Sequence, residues 1–256
     1  MKKVMIITLV TLLVLAIVGI AFLNTAKFGK LPAGDRLARI EQAPNYRDGA
    51  FHNQSHTPDL TEGAGYWEVA KEFLFTKKPN LNPVDSIPSI KTDLLALPPD
   101  RDVLVWFGHS SYYLQVDGRK FLVDPVLSGS ASPLPFGTKS FAGTDIYGVD
   151  DFPEIDVLFI SHDHWDHLDY ETIKALKPKI KQVICGLGVG AHFEHWGYDP
   201  AVVIEKNWNE TVPLDSGFTV HTLPARHFSG RGLKRFKSLW LSFALQTPTM
   251  NIYIGG

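Results

Sequence analysis

One stretch decides the fold, Ile160-Ser161-His162-Asp163-His164-Trp165-Asp166-His167, which directly follows an apolar run. It places three imidazoles and two carboxylates within six residues. Such groups repel and desolvate one another unless a cation lies among them, so the stretch predicts a metal site. Imidazoles with a carboxylate suit Zn²⁺, with Fe or Mn as alternatives. The single cysteine, Cys185, excludes a structural site built from thiolates.

The pattern His-x-His-x-Asp-His on a strand-to-helix loop resembles the signature of the metallo-β-lactamase superfamily of metal-dependent hydrolases. Further segments resemble N-acylphosphatidylethanolamine-hydrolysing phospholipase D and its bacterial relatives, and the ascorbate-6-phosphate lactonases share some of them. These segments are Trp106-Phe107-Gly108-His109-Ser110-Ser111, Leu122-Val123-Asp124-Pro125 and Pro224-Ala225-Arg226-His227-Phe228. The resemblance covers residues 32–256. It implies an α+β fold, an αββα sandwich of two mixed sheets with outer helices.

The resemblance also implies roles for the histidines and for one aspartate. His162, His164 and His227 would hold a first ion and leave one position open for water or hydroxide. Asp166 and His167 would face a second ion, and Asp166 is also assigned as catalytic. Two such ions can share a hydroxide nucleophile and hold both the attacking and the leaving oxygens. Zn²⁺ is the predicted cofactor, with two ions in a complete homologue.

Three more polar residues are predicted to support or line this site. Asp163 is predicted to be a solvent-facing or supporting group rather than a ligand. Asp124, at a strand end, either hydrogen-bonds the histidine stretch and orients its imidazoles or only caps its own turn. His109 either lines the pocket or belongs to a tight turn.

Basic residues surround His227 in the sequence, and two further histidines lie on a predicted helix. Arg226 and the basic residues after it suit an anionic phosphate or headgroup, with a solvated loop as the alternative. His192 and His195 lack the His-Glu-x-x-His order of a helical zinc site, so we predict that they are surface residues. The basic residues after Arg226 are Arg231, Lys234, Arg235 and Lys237.

Residues 4–23 form an apolar run without a charge, preceded by Lys2 and Lys3. A helix of about 20 residues crosses the hydrocarbon core of a bilayer, which is about 30 Å thick. A cleaved signal peptide has a shorter apolar core and a cleavage site that Asn24-Thr25-Ala26 matches poorly. We therefore predict a single-pass membrane anchor over residues 1–25, with the catalytic domain outside the cytoplasm.

The rest of the chain is predicted to contain two regions. Residues 26–100 form an N-terminal extension rich in Pro, Asn and Gly, with one amphipathic helix near 64–75. Residues 101–256 form the hydrolase domain. A net charge of −2 with 20% charged residues argues against a nucleic-acid partner. The predicted partners are a membrane and a lipid or phosphodiester substrate, while the oligomeric state stays open.

Period-two patterning and turn residues predict the elements of the hydrolase domain. Asp117-Gly118 predicts a tight hairpin turn. The connection 128–151 carries Phe136, Phe141 and Tyr147, and a loop of this length is expected to cover a site. Strands are predicted at 103–107, 112–116, 120–123, 157–160, 183–185, 202–205, 218–223, 239–246 and 251–254, and helices at 170–176 and 189–196.

Members of the resembled family continue beyond the position of Gly256 with an aspartate that bridges the two ions and, later, a further histidine. We therefore expect the C-terminal part of the fold to be missing here. At most about one ion should bind, and activity should be negligible. In a complete protein we predict a membrane-anchored, phospholipase D-like phosphodiesterase acting on an N-acylphosphatidylethanolamine-like phospholipid through a metal-bound hydroxide. The alternatives are a hydrolase of lactones or carboxylic esters and an inactive remnant.

Overall fold

A long apolar helix opens the chain, followed by short elements. The computed structural model describes residues 1–134 and 137–255. Within those ranges α1 (Lys2–Leu23) is the one helix long and apolar enough to cross a membrane, and none of its residues is buried. The elements that follow are α2 (Gly34–Glu41), the hairpin strands β1 (Tyr46–Arg47) and β2 (Ala50–Phe51), and α3 (Tyr66–Phe75).

A six-stranded mixed sheet carries the predicted metal site. Its first three strands are antiparallel and its last four run parallel. Parallel neighbours need a crossover, and two helices, α4 and α5, lie in these connections. In spatial order the strands are β3 (Val103–Gly108), β4 (Ser111–Val116), β5 (Arg119–Val123), β6 (Val157–Ile160), β7 (Val183–Gly186) and β8 (Val203–Lys206), and the helices are α4 (Tyr170–Leu176) and α5 (Gly190–His195).

A second sheet of four strands follows in the chain. Its described strands pair antiparallel throughout, so only the six-stranded sheet is mixed, where two mixed sheets had been expected. Two connections in this sheet, residues 214–218 and 247–250, are short enough for the hairpins that join antiparallel neighbours, whereas residues 225–240 form a longer connection. The strands are β9 (Thr211–Pro213), β10 (Thr219–Pro224), β11 (Leu241–Gln246) and β12 (Asn251–Ile254), and the spatial order is β12-β11-β10-β9.

The main core lies between the two sheets. Phe121 and Phe159 of the larger sheet stack with ring centroids 5.9 Å apart, and Phe243 of the smaller sheet lies 4.9 Å from Phe159. A second cluster on the other face packs α4 and α5 against the six-stranded sheet through Ile173 and Phe193. This layering is the predicted α+β sandwich, with helices outside the larger sheet.

Part of the predicted N-terminal extension packs into the same core. Ile40 and Phe51 are buried in the cluster between the sheets. In contrast, α3 keeps its apolar side chains exposed, with Trp67 67% and Phe73 80% accessible. The domain boundary at residue 101 stays a prediction, but residues on both sides of it share one core.

Candidate metal centre

Strand ends gather the polar residues at one edge of the six-stranded sheet. The fully buried strand β6 ends at Ile160, and the histidine loop (residues 161–168) follows at its carboxyl end. Asp124 directly follows β5, which runs parallel to β6. His109 directly follows β3, which points the same way as β5 because both pair antiparallel with β4. Three strands therefore deliver their terminal side chains to the same place.

The first metal group consists of His162, His164 and His227, whose ligand nitrogens lie within 4.8 Å of one another. His162 Nε2 lies 3.0 Å from His164 Nδ1, and His227 Nε2 lies 3.2 Å from the same atom. Nitrogens about 2.0–2.1 Å from a tetrahedral ion lie about 3.3 Å apart, so these separations fit a metal between them. The sequence-predicted residues of the first group are thus brought together.

The second metal group consists of His109, Asp166 and His167. His109 Nε2 lies 3.0 Å from Asp166 Oδ2 and 3.3 Å from His167 Nε2. The His162 and His167 rings lie 4.0 Å apart, so the two groups adjoin. The expectation of at most about one ion counted two protein ligands here, and the structure places a third candidate ligand, His109, beside them. The sequence signal for His109 as a ligand was its position directly after β3, which ends at the same edge of the sheet as β5 and β6.

Asp124 and Ser161 orient imidazoles in both groups. Asp124 is fully buried and accepts hydrogen bonds from Ser161 N at 2.8 Å, Ser161 Oγ at 2.6 Å and His167 Nδ1 at 2.8 Å. Because Ser161 Oγ donates to Asp124, it can accept from His162 Nδ1, 2.9 Å away. Both rings then keep Nε2 free for an ion, the usual function of a carboxylate beside a ligating histidine.

Asp163 points away from the metal groups into the protein. It is 3% exposed and accepts from Ser238 Oγ at 2.6 Å, Gly230 N at 2.7 Å and His192 Nε2 at 3.3 Å. Of the two predicted roles, the supporting one applies and the solvent-facing one does not. These bonds fix the histidine loop to residues 229–238, next to His227.

His192 is 2% exposed, so its prediction as a surface residue is wrong, whereas His195 is exposed as predicted. The physical reason is a contact distant in sequence. Residues 26–30 cover α5, and Lys30 N donates to His192 Nδ1 at 3.0 Å. A helix that a remote segment covers looks like a surface helix in the sequence.

Asn53 is a supporting residue that sequence reasoning missed. Its side chain makes two hydrogen bonds with the backbone of His227, accepting from N at 3.1 Å and donating to O at 2.7 Å. Trp240 Nε1 also donates to Asn53 Oδ1 at 2.9 Å. No sequence signal links residues 53 and 227, because only the folded chain brings them together.

The electrostatics favour neutral imidazoles in the first metal group. Burial, together with the neighbouring histidines, holds the pKa of His162 well below its usual value, and burial lowers the pKa of His164 to about 4. Burial also lowers the pKa of His227. These rings therefore carry free lone pairs near neutral pH, as metal binding requires. At His167 burial is the largest single influence and lowers the pKa, but the hydrogen bond to Asp124 and the charges of Asp124 and Asp166 together outweigh it and raise the pKa.

Internal contacts occupy much of the basic run. Arg226 donates to Thr57 Oγ1 at 2.9 Å, and Arg235 pairs with Asp59 at 3.0 Å. Arg231 is buried and donates to backbone carbonyls. Arg231 is thus neither a headgroup ligand nor part of a solvated loop. In the connection 128–151, Tyr147 packs on Phe107, Phe141 is 42% exposed, and Phe136 lies outside the described residues.

Comparison with known proteins agrees with this geometry. Residues 119–256, more than half of the chain, match the family model described as a beta-lactamase superfamily domain. The chain belongs to the metallo-β-lactamase superfamily. Enzymes of this superfamily are generally metal-dependent hydrolases, and the superfamily fold matches the two-sheet architecture described above.

Relatives of this superfamily member include an uncharacterized protein of Mycobacterium tuberculosis, 36% identical over 217 residues, which are 84% of this chain and 58% of that protein. The N-acyl-phosphatidylethanolamine-hydrolyzing phospholipase D 1 of Caenorhabditis elegans is 33% identical over 165 residues, 59% of this chain and 45% of that enzyme. Among solved structures, Igni18, a metallo hydrolase from Ignicoccus hospitalis, is 20% identical with a TM-score of 0.44, covering 60% and 59% of the two chains. The chain spans about half the length of these curated relatives.

The geometry of the second metal group predicts the effect of His109→Asn. Asn tolerates the positive φ of 47° at this position but cannot reach the other two ligands. We expect the metal content to fall at the second group while the first ion is retained, measured as ions bound per chain. His195→Ala, an exposed histidine change, is the control. Equal metal content in His109→Asn and the unmodified protein would show that His109 is not a ligand.

Proposed function

We propose that this protein is a membrane-anchored, metal-dependent phosphodiesterase that hydrolyses an N-acylphosphatidylethanolamine-like phospholipid. The observation that carries the proposal is the pair of adjoining three-ligand groups at one sheet edge. A related C. elegans enzyme hydrolyses N-acyl-phosphatidylethanolamine according to its name. The apolar helix α1 supports a location beside lipids. The proposal also includes a catalytic domain that lies outside the cytoplasm.

Each of the two metal groups would hold one ion in the proposed reaction. His162, His164 and His227 would hold one ion, and His109, Asp166 and His167 the other. When bound, such ions make water a nucleophile near neutral pH and neutralise charge on a phosphate. Zn²⁺ fits the ligand set, although Fe and Mn accept the same donors.

Asp166 has a second role in the proposed reaction in addition to ligation. Its side chain is 44% exposed, unlike that of His167, which is 7% exposed. One carboxylate oxygen faces His109, so the other remains available to accept a proton from water or substrate. Accepting this proton is the catalytic role proposed for Asp166.

A turnover assay on the complete natural protein tests the proposal. The protein would be reconstituted in vesicles with Zn²⁺, and in parallel with Mn²⁺ or Fe²⁺, and given an N-acylphosphatidylethanolamine. We expect release of the N-acylethanolamine and phosphatidate. Lactones and carboxylic esters serve as competing substrates, because the same centre could direct water at a carbonyl. Turnover of those substrates without any phosphodiester cleavage would overturn the proposal.

A further inference from the structure

A short segment joins the apolar helix to the metal centre. The N-terminal strap (residues 24–30) follows α1 directly and contains a single helical turn, Ala26–Phe28. Trp196 Nε1 donates to Ala26 O at 2.7 Å, and Arg231 Nη2 donates to Lys27 O at 2.8 Å. At Gly29, where φ is 72°, a Cβ would overlap the His192 ring. Residues 26, 29 and 30 of the strap therefore contact α5 or the residue that follows it.

Aromatic contacts continue from the helix end into the histidine loop. The Phe28 ring packs edge-on against Phe22 of α1, with centroids 5.3 Å apart. The same ring packs edge-on against Trp165, with centroids 5.2 Å apart. Trp165 lies between two predicted ligands in the sequence. The Phe28 ring therefore connects the last turn of α1 to the histidine loop.

Arg231 connects the strap with both ends of the histidine loop. Besides Lys27 O, its guanidinium donates to Asp163 O at 3.0 Å and to Leu168 O at 2.5 Å. It also lies 4.0 Å from the Trp165 ring and 5.3 Å from the Trp196 ring. The buried side chain of Arg231 thus binds both the strap and the histidine loop and fixes their relative position.

Two loops beside the strap expose leucines. Leu233 is 86% exposed and follows Gly232, which lies against the Phe28 ring. Leu134 is 38% exposed and follows Pro133, whose carbonyl accepts from Lys27 Nζ at 2.7 Å. A single exposed leucine needs no explanation. These two come from separate loops and both lie beside the exit of a helix that can span a membrane.

We propose that Leu134 and Leu233 enter the interface of the bilayer that holds α1, so that the metal centre opens at that membrane surface and receives lipid substrates from it. This inference rests on the membrane anchor of the proposed function. The occupant of the surface follows from continuity. A spanning helix ends at Leu23, and the tight strap brings the neighbouring loops to the same level as its exit.

Site-directed fluorescence tests the proposal on the complete protein in vesicles. Leu134→Cys and Leu233→Cys would be labelled with a polarity-sensitive dye, and the vesicles would carry lipids with a quencher at headgroup depth. Leu104→Cys is the matched control, since Leu104 is 62% exposed on β3, at the opposite edge of the sheet from β8 and α5. The native Cys185 is buried and does not compete for the dye. We expect quenching several-fold stronger at 134 and 233 than at 104.

The outcomes separate this inference from the proposed function. Extraction by carbonate would show that α1 is not an anchor, and both proposals would then fail in their membrane part. Retention in the membrane with equal quenching at all three positions would overturn only the inference. Quenching is read without any turnover, so the lipid specificity does not affect it.

A second variant tests the strap itself. Phe28→Ala removes the aromatic contact between α1 and Trp165 without changing a predicted ligand. We expect weaker quenching at position 233 and a several-fold loss of turnover on vesicle lipids. Turnover of a short-chain soluble phosphodiester should be retained. Unchanged quenching and unchanged turnover on vesicles would show that the strap does not set the position of the centre.

Discussion

Replacing His162 by alanine in the complete protein should lower metal content and hydrolysis together, by orders of magnitude. His162 is 1% exposed, and its Nε2 lies 3.0 Å from the ligand nitrogen of His164. Losing one of three nitrogens leaves two protein ligands for the first ion, too few to hold it firmly against water. The measurements are metal analysis after dialysis and initial rates on the phospholipid substrate.

His195→Ala is the matched control for that experiment. It also removes an imidazole, but from an exposed position on α5. We expect its metal content and rate to equal those of the unmodified protein. Retained metal and unchanged rate in His162→Ala would mean that the motif at 162–167 is not the catalytic centre.

Asp163→Ala should destabilise the metal-free protein by about 3–5 kcal/mol, the usual cost of removing one partner from a buried charged network. The substitution leaves the Ser238 hydroxyl, the Gly230 N–H and His192 Nε2 without their acceptor. It also removes a carboxylate whose charge raises the pKa of the buried Arg231 guanidinium, which burial lowers to about 10. Urea unfolding at neutral pH measures the difference.

The pH dependence of this effect has a definite sign. Burial alone would raise the pKa of Asp163, but the bonds from His192, Ser238 and Gly230 outweigh it and hold the pKa below its usual range. The carboxylate therefore stabilises the fold fully above its unfolded-state pKa of about 3.9, and less as the pH falls below that value. The difference in unfolding free energy between Asp163→Ala and the unmodified protein should therefore become smaller at acidic pH.

Asp166→Ala provides the contrast for Asp163→Ala. Asp166 is 44% exposed and belongs to the second metal group, so its loss should reduce metal binding but leave the metal-free stability nearly unchanged. Equal stability of Asp163→Ala and the unmodified protein at neutral pH would contradict the supporting role assigned to Asp163.

Much of the site was predictable because its ligands are close in sequence. His162, His164, Asp166 and His167 lie on one loop, and the strand before them is a continuous apolar run. Alternating patterns and the Asp117-Gly118 turn also located most strands, and both turn residues have the positive φ that such a hairpin requires. The predicted helix near 64–75 is present as α3.

The parts that sequence reasoning missed depend on contacts between distant segments. His192 becomes buried because the strap covers it, and Asn53 reaches His227 across more than half of the chain. Short elements such as β9 and α2 carry too few residues for a clear periodic pattern. The third member of the second metal group required knowledge that β3 and β6 end at the same edge of the sheet.

The position of Asp124 means that the two metal groups are not independent. One carboxylate accepts directly from His167 of the second group and, through Ser161, orients His162 of the first. An ion bound to either imidazole would polarise that ring and strengthen the hydrogen bond that the ring donates towards Asp124. The strength of the hydrogen bond from the other imidazole would change as a result. Occupancy of one group should therefore change the affinity of the other, and by linkage the change is equal in both directions. The two groups would then form one cooperative binding unit, coupled through a residue that belongs to neither group.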